Sequence, residues 1–206
     1  MDTIKKCFVM ILSGNKSDSR LAARKVRKLL HNSQNRQTKY KDIVNIINNA
    51  PSEYAKISEE WRQENFVVAI SVIYFLHNKE DQPDFLFPWL FHLLQHPNGI
   101  IRHASVRMFS CELGPLTVYI RCPEHKKGDF GKRTTEQADT ILHFLFINLT
   151  SLLEILWQPK YKSKKYKYIK FLPTSPYKSV QMVFAHFQES CGQKYIDDLE
   201  QKIAPY

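Results

Sequence analysis

Glycine and cysteine are both scarce in this chain, with six glycines and four cysteines among 206 residues. Few glycines and 43% hydrophobic residues exclude a disordered, low-complexity chain and imply a folded core. Cys7, Cys111, Cys122 and Cys191 are scattered, unlike the dense framework of a small disulfide-stapled secreted domain. Cys111 falls in an apolar run, where a thiol behaves as a small hydrophobe. Four reduced thiols in a cytoplasmic protein are the expectation.

Signatures of catalysis are also missing. The segment 128–134, GDFGKRT, superficially resembles a phosphate-binding loop. However, Lys126 stands where that loop needs its first glycine and Arg133 where it needs Ser or Thr. Asp129-Phe130-Gly131 lacks the glycine-rich loop and His-Arg-Asp segment of a kinase. Cys122 and His125 have a spacing that can chelate zinc, but a structural site needs four ligands. No second such pair exists, and Cys111, His96 or His103 would complete the set only if the fold brought them together. As a nucleophile and base, Cys122 and His125 are close in sequence, whereas catalytic partners normally meet across a fold. Asn15-Lys16-Ser17 and Asn148-Leu149-Thr150 match the glycosylation pattern formally, without meaning in a cytoplasmic protein. No catalytic residue, metal or cofactor is assigned.

Long uninterrupted apolar runs are absent too. The run 7–12 follows Lys5 and Lys6 in the order of a signal peptide, but it is shorter than an ordinary apolar region of that kind. Residues 141–157 include His143, Asn148 and Glu154, whereas a span needs about twenty mostly apolar residues. A core helix covered on most sides is the expectation there, with no membrane span.

What the chain does contain is helical periodicity. Helices are expected over 18–32, capped by Ser17 or Asp18, over 39–49, stopped by Pro51, and as one long region over 52–77. Further helices are expected over 85–95, 99–113, 135–157, 177–191 and 195–203. A weaker stretch follows Gly114-Pro115, and 121–135 and 159–176 read as a polar loop and a basic irregular segment. Six to nine helices and no strand give an all-α class, with residues 1–206 as a single helical domain.

The clearest helix pair lies at 85–113. Leu86, Leu90, Leu93 and Leu94 recur at helical spacing, as do Ile101, Ser105, Met108 and Phe109, with Pro97 and Gly99 breaking the helix between them. With Pro88 in the first helix and Ile101-Arg102 opening the second, this segment resembles a HEAT repeat. Ser105 replaces the usual alanine, and His96 or Asn98 the usual turn aspartate. The resemblance implies an α-solenoid that presents a surface to partners. No internal repeat has a fixed length.

The formal net charge is +10, and it is clustered. Residues 16–41 hold nine basic side chains against one acid, Asp18. On a helical wheel Arg20, Arg24 and Arg27 lie opposite Ala22, Val26 and Leu29, so one face can bury while the other projects guanidiniums suited to phosphate. Residues 160–178 hold seven lysines and no acid, interleaved with five tyrosines and phenylalanines. Lysines attract a phosphate backbone and exposed aromatics stack on bases. The loop residues Lys126, Lys127, Lys132 and Arg133 form a weaker group.

Together these features imply a non-catalytic binding module with a basic surface for nucleic acid, or else for an acidic protein. The expected contact residues are Arg20, Arg24, Arg27, Lys28, Lys164, Lys165, Tyr166 and Lys167. A protein–protein adaptor with incidental charge is the alternative. The chain is also similar in size, architecture and charge to the alkylpurine DNA glycosylases, HEAT-like enzymes with tryptophans and a carboxylate around the lesion. Trp61, Trp89 and Trp157, with Glu60, Glu64 and Asp84, are the residues to compare, and no catalytic role is carried over to them.

Overall fold

Thr3 opens the first helix, α1 (Ile4–Ser13), by accepting a hydrogen bond from the Lys6 amide at 3.2 Å. It supplies one of the acceptors that the first turn of a helix lacks. The computed structural model describes residues 3–31, 36–76, 85–122, 134–157 and 173–203. Among these residues every regular element is helical and none is a strand, so the chain is all-α. It divides into two compact units, Met1–Met108 and Phe109–Tyr206.

In the first unit, α1 turns at Gly14 and Asn15 into α2 (Lys16–His31). The N-cap of α2 is Asn15, not Ser17 or Asp18 as its sequence suggested. Its Oδ1 accepts from the amides of Ser17 and Asp18 at 2.9 and 3.0 Å. The helices α3 (Arg36–Asn48), α4 (Ala50–Ala55) and α5 (Glu60–Ile73) follow, the last ending in a 3-10 turn at Tyr74–Leu76. The expected single helix over 52–77 is therefore broken. The helix α3 ends at Asn48, ahead of Pro51 as expected, and Pro51 itself sits in the first turn of α4, where a missing N–H costs nothing. The chain then leaves helical geometry at 56–59, and Gln63 returns to bond the Ile57 carbonyl at 2.8 Å.

The helix α5 packs against α1 to α4 and contributes the buried residues Phe66, Val67, Ala69, Ile70 and Ile73. Two polar anchors fix turns to its N-terminal half. Arg62 Nη1 donates to the carbonyls of Ile11, Leu12 and Gly14 at 3.0, 2.7 and 3.0 Å. These are carbonyls left over where α1 ends, and a guanidinium is a strong donor to them. Glu64 accepts from Asn98 Nδ2 at 2.8 Å, and Glu60 from the same group at 3.4 Å. Asn98 lies in the turn between α6 (Phe87–Leu94) and α7 (Gly99–Arg121). Its Oδ1 caps α7 by accepting from the Ile100 amide at 2.8 Å, which is the work a turn aspartate would do. Ser105 is fully buried and donates to the Leu90 carbonyl at 2.8 Å, joining α7 to α6. Arg102, 1% exposed, clamps the carbonyls of His96 and Pro97 at 2.6 and 2.7 Å.

The second unit begins within α7. The break expected after Leu113 does not occur, because the helix continues through Gly114 and Pro115 to Arg121. Pro115 removes one backbone donor, but Leu113, Leu116, Thr117 and Val118 are buried around it. The Thr117 hydroxyl bonds the Leu113 carbonyl at 2.7 Å. Packing on both sides outweighs the local breaker. The longest apolar helix, α8 (Thr135–Leu156), starts with a reciprocal capping box between Thr134 and Gln137. It packs against α9 (Pro176–Cys191) through Phe146, whose ring lies 5.8 Å from Phe184 and 6.0 Å from Phe187. Ser175 caps α9, and Gly192, at φ +82°, ends it and turns the chain into α10 (Gln193–Ile203). Ile196 and Leu199 of α10 are buried, and Tyr195 Oη donates to Asp139 of α8 at 2.9 Å.

By length and composition α8 could cross a membrane, having 22 residues and a mean hydropathy of 1.4 over its most apolar stretch. It is not covered on most sides as its sequence suggested, since Phe144, Ile147 and Ile155 are exposed.

Candidate polyanion-binding surface

The helix α2 sorts its side chains by face. Ser19, Ala22, Ala23 and Val26 are buried, because helical periodicity brings these positions to one side. Leu29 and Leu30 are half-buried. The buried Ser19 hydroxyl donates to the Ile11 carbonyl at 3.0 Å and accepts from Asn65 Nδ2 at 3.1 Å. These bonds tie α2 to α1 and α5 and fix its rotation. Arg20, Arg24, Arg27 and Lys28 are all exposed on the opposite side, with Lys16 beside them.

None of these four forms an ion pair or hydrogen bond among the described residues. The single acid of α2, Asp18, is held at the helix N-terminus by Asn15 Nδ2 at 2.7 Å. Three guanidiniums spaced at i, i+4 and i+7 thus stand on a helix whose other face is locked into the core. At 1.5 Å of rise per residue, Arg20 to Arg27 covers roughly 10 Å. The structure brings together the first half of the expected contact set. Lys164, Lys165, Tyr166 and Lys167 lie outside the described residues, as do Lys126, Lys127, Lys132 and Arg133.

Cys122 is half-buried, and His125 lies outside the described residues. No cluster of three or more His, Cys, Asp or Glu side chains suited to a metal occurs among the described residues, and none of the four cysteines forms a disulfide there. His96 and His103 stay below the ordinary histidine range because burial disfavours the imidazolium. Trp89 is buried against Tyr54, with ring centroids 5.9 Å apart. Trp61 is half-buried with the Arg62 guanidinium 4.4 Å over its ring. Trp157 is 72% exposed and leans on Tyr177 at 5.0 Å. Glu60 and Glu64 serve Asn98 as described above, and Asp84 lies outside the described residues.

One feature escaped sequence reasoning. Beside the arginine face, α1 and α2 enclose a groove of about 410 Å³ lined by Lys6, Cys7, Val9, Met10, Asp18, Leu21, Ala22 and Lys25. Val9, Met10 and Leu21 are 59%, 46% and 53% exposed. The sequence signal was Leu21, an apolar residue standing off the buried stripe of a basic helix. No family model matches this chain, and neither curated proteins nor solved structures provide a match.

Proposed function

We propose that this protein is a non-catalytic helical-repeat binding module of HEAT-like kind, and that the exposed face of α2 engages an acidic macromolecule, nucleic acid first. The observation that carries the reading is the row Arg20, Arg24, Arg27 and Lys28, exposed, without ion-pair partners among the described residues, and mounted on a helix anchored by Ser19. Charges not neutralised within the protein are available to replace the counterions of a phosphate backbone. A rigid mount spares them part of the ordering cost of binding.

The repeat reading draws support from α5, which holds the α1–α2 turn through Arg62 and the α6–α7 turn through Glu60 and Glu64. Helix pairs with neighbouring turns on one edge are the way solenoids stack. The test is fluorescence anisotropy of labelled single- and double-stranded DNA and RNA over a salt series. Wild-type protein is compared with a variant carrying Arg20→Glu, Arg24→Glu and Arg27→Glu. Binding that is steeply salt-dependent and lost in the variant, with helix content unchanged by circular dichroism, supports the reading. Equal affinity of the two proteins, or no binding at ~50 mM salt, where phosphate contacts are strongest, refutes it.

A further inference from the structure

We infer that the groove between α1 and α2 is a docking site for an acidic amphipathic helix of a partner protein. Its floor is apolar and closed, made by Cys7 and Ala22, each 4% exposed. Its walls are Val9 and Met10 of α1 and Leu21 of α2, which face solvent on the side of the pair away from Phe8 and Phe66 of the core. Large apolar side chains exposed singly are ordinary on a protein surface; three converging on one concavity mark a contact site.

Shape selects the occupant. Two adjacent helices present ridges at i+3 and i+4, and the residues lining this groove follow that spacing: Lys6, Val9 and Met10 on one side, Leu21 and Lys25 on the other. Such a surface accepts the ridge of a third helix, with anchors at i, i+3 or i+4, and i+7. A helix of α1's ten residues is roughly 15 Å long, room for two to three turns of a ligand.

Charge selects the sign. Lys6 of α1 and Lys25 of α2 line the groove. The only acid in the lining, Asp18, is bonded to Asn15. A basic helix would meet this rim with like charge, whereas carboxylates on the polar flanks of an acidic one meet lysines on both sides. The groove and the arginine row are neighbouring but different faces of α2, so the inference stands apart from nucleic-acid binding.

The experiment uses the full chain and a labelled synthetic helical peptide with leucine at every third or fourth position and glutamate elsewhere. A scrambled peptide of the same composition and a version with lysine for glutamate serve as controls. The acidic amphipathic peptide should bind at least about tenfold more tightly than either control. Met10→Asp and Leu21→Asp should each weaken it by about tenfold or more, since each removes one buried anchor. Both side chains are about half exposed, so the variants should keep the wild-type circular dichroism spectrum. Val9→Asp replaces any variant that does not.

Nucleic-acid affinity should change by less than about twofold in Met10→Ala and Leu21→Ala, which remove the same apolar anchors without removing a phosphate-binding cation or adding a carboxylate beside the arginine row. The Arg20→Glu, Arg24→Glu, Arg27→Glu variant should keep most of its peptide binding. Loss of nucleic-acid binding with the groove intact would therefore overturn only the earlier reading. Equal binding of scrambled and amphipathic peptides, or insensitivity to Met10→Asp and Leu21→Asp, overturns the groove. So does self-association of the wild type that these substitutions abolish, because the occupant would then be a second copy of this chain.

Discussion

Removing one arginine from the middle of the α2 row should flatten the salt dependence of binding by about one unit of log–log slope. The four exposed cations Arg20, Arg24, Arg27 and Lys28 stand within nine residues of helix. Arg20 to Arg27 spans roughly 10 Å, the rise of about three phosphates on one strand of a duplex. If all four neutralise phosphates, the slope on duplex DNA is about −3.6, and affinity falls about 150-fold between 50 and 200 mM salt. Arg24→Ala leaves three, with a slope of about −2.7 and a fall of about 40-fold over the same interval. On a single strand the full set gives a slope of about −2.8 and a fall of about 50-fold. Anisotropy titrations at four or five salt concentrations measure both slopes directly. A wild-type slope shallower than about −1 means that fewer than two phosphates are neutralised. That result, or a slope unchanged by Arg24→Ala, refutes the assignment of this face. Arg24 is exposed and touches no other described side chain by hydrogen bond or ion pair, so its removal leaves the fold in place.

Other consequences concern the framework that mounts this face. Arg62→Ala strips the donor from three carbonyls at the end of α1 and should cost about 3 kcal/mol; Arg62→Lys should recover part of it. Urea unfolding checks this, and a loss below about 1 kcal/mol would show that water replaces the guanidinium. Tyr74→Phe removes the 2.5 Å bond from a buried hydroxyl to the Phe85 carbonyl and should cost about 1–3 kcal/mol, read from the same curves. Burial pushes the Tyr54 hydroxyl up to about 12, above about 10 in an unfolded chain. Its contribution is therefore complete below pH ~10 and is lost as pH rises towards 12, because the unfolded chain gives up the proton first. Thermal melts should show Tyr54→Phe declining less steeply than wild type across that window; parallel alkaline limbs would contradict it.

Much of the fold was legible because helix signals are local. The capping pair Thr134 and Gln137, the sequence Ser175-Pro176 and the terminating Gly192 act over three or four residues, within reach of pattern reading. Leu90, Leu93, Leu94, Ile101, Ser105, Met108 and Phe109, taken from periodicity as inner residues of one helix pair, are fully buried, whereas Leu86 of the same set is half-buried and lies just ahead of α6 at φ +59°. Gly114-Pro115 misled because a breaker's local cost is small beside the packing of Leu113, Leu116, Thr117 and Val118, which a sequence window does not weigh. No local pattern marks the roles of Arg62 and Arg102: one reaches back some fifty residues to the carbonyls of α1 and the other is 1% exposed beneath its own turn.

The division for the candidate site follows the same physics. An amphipathic basic helix at 18–32 is a property of spacing along one segment, so the amino-acid sequence by itself determined that Arg20, Arg24 and Arg27 would share a face opposite Ala22 and Val26. Whether Val9, Met10 and Leu21 are core or surface depended on where α1 comes to rest against α2, and on Phe8 rather than Val9 meeting Phe66 across the core. Those contacts join residues eight to nearly sixty positions apart. No local propensity encodes them, and only tertiary packing opened the groove beside the arginine row.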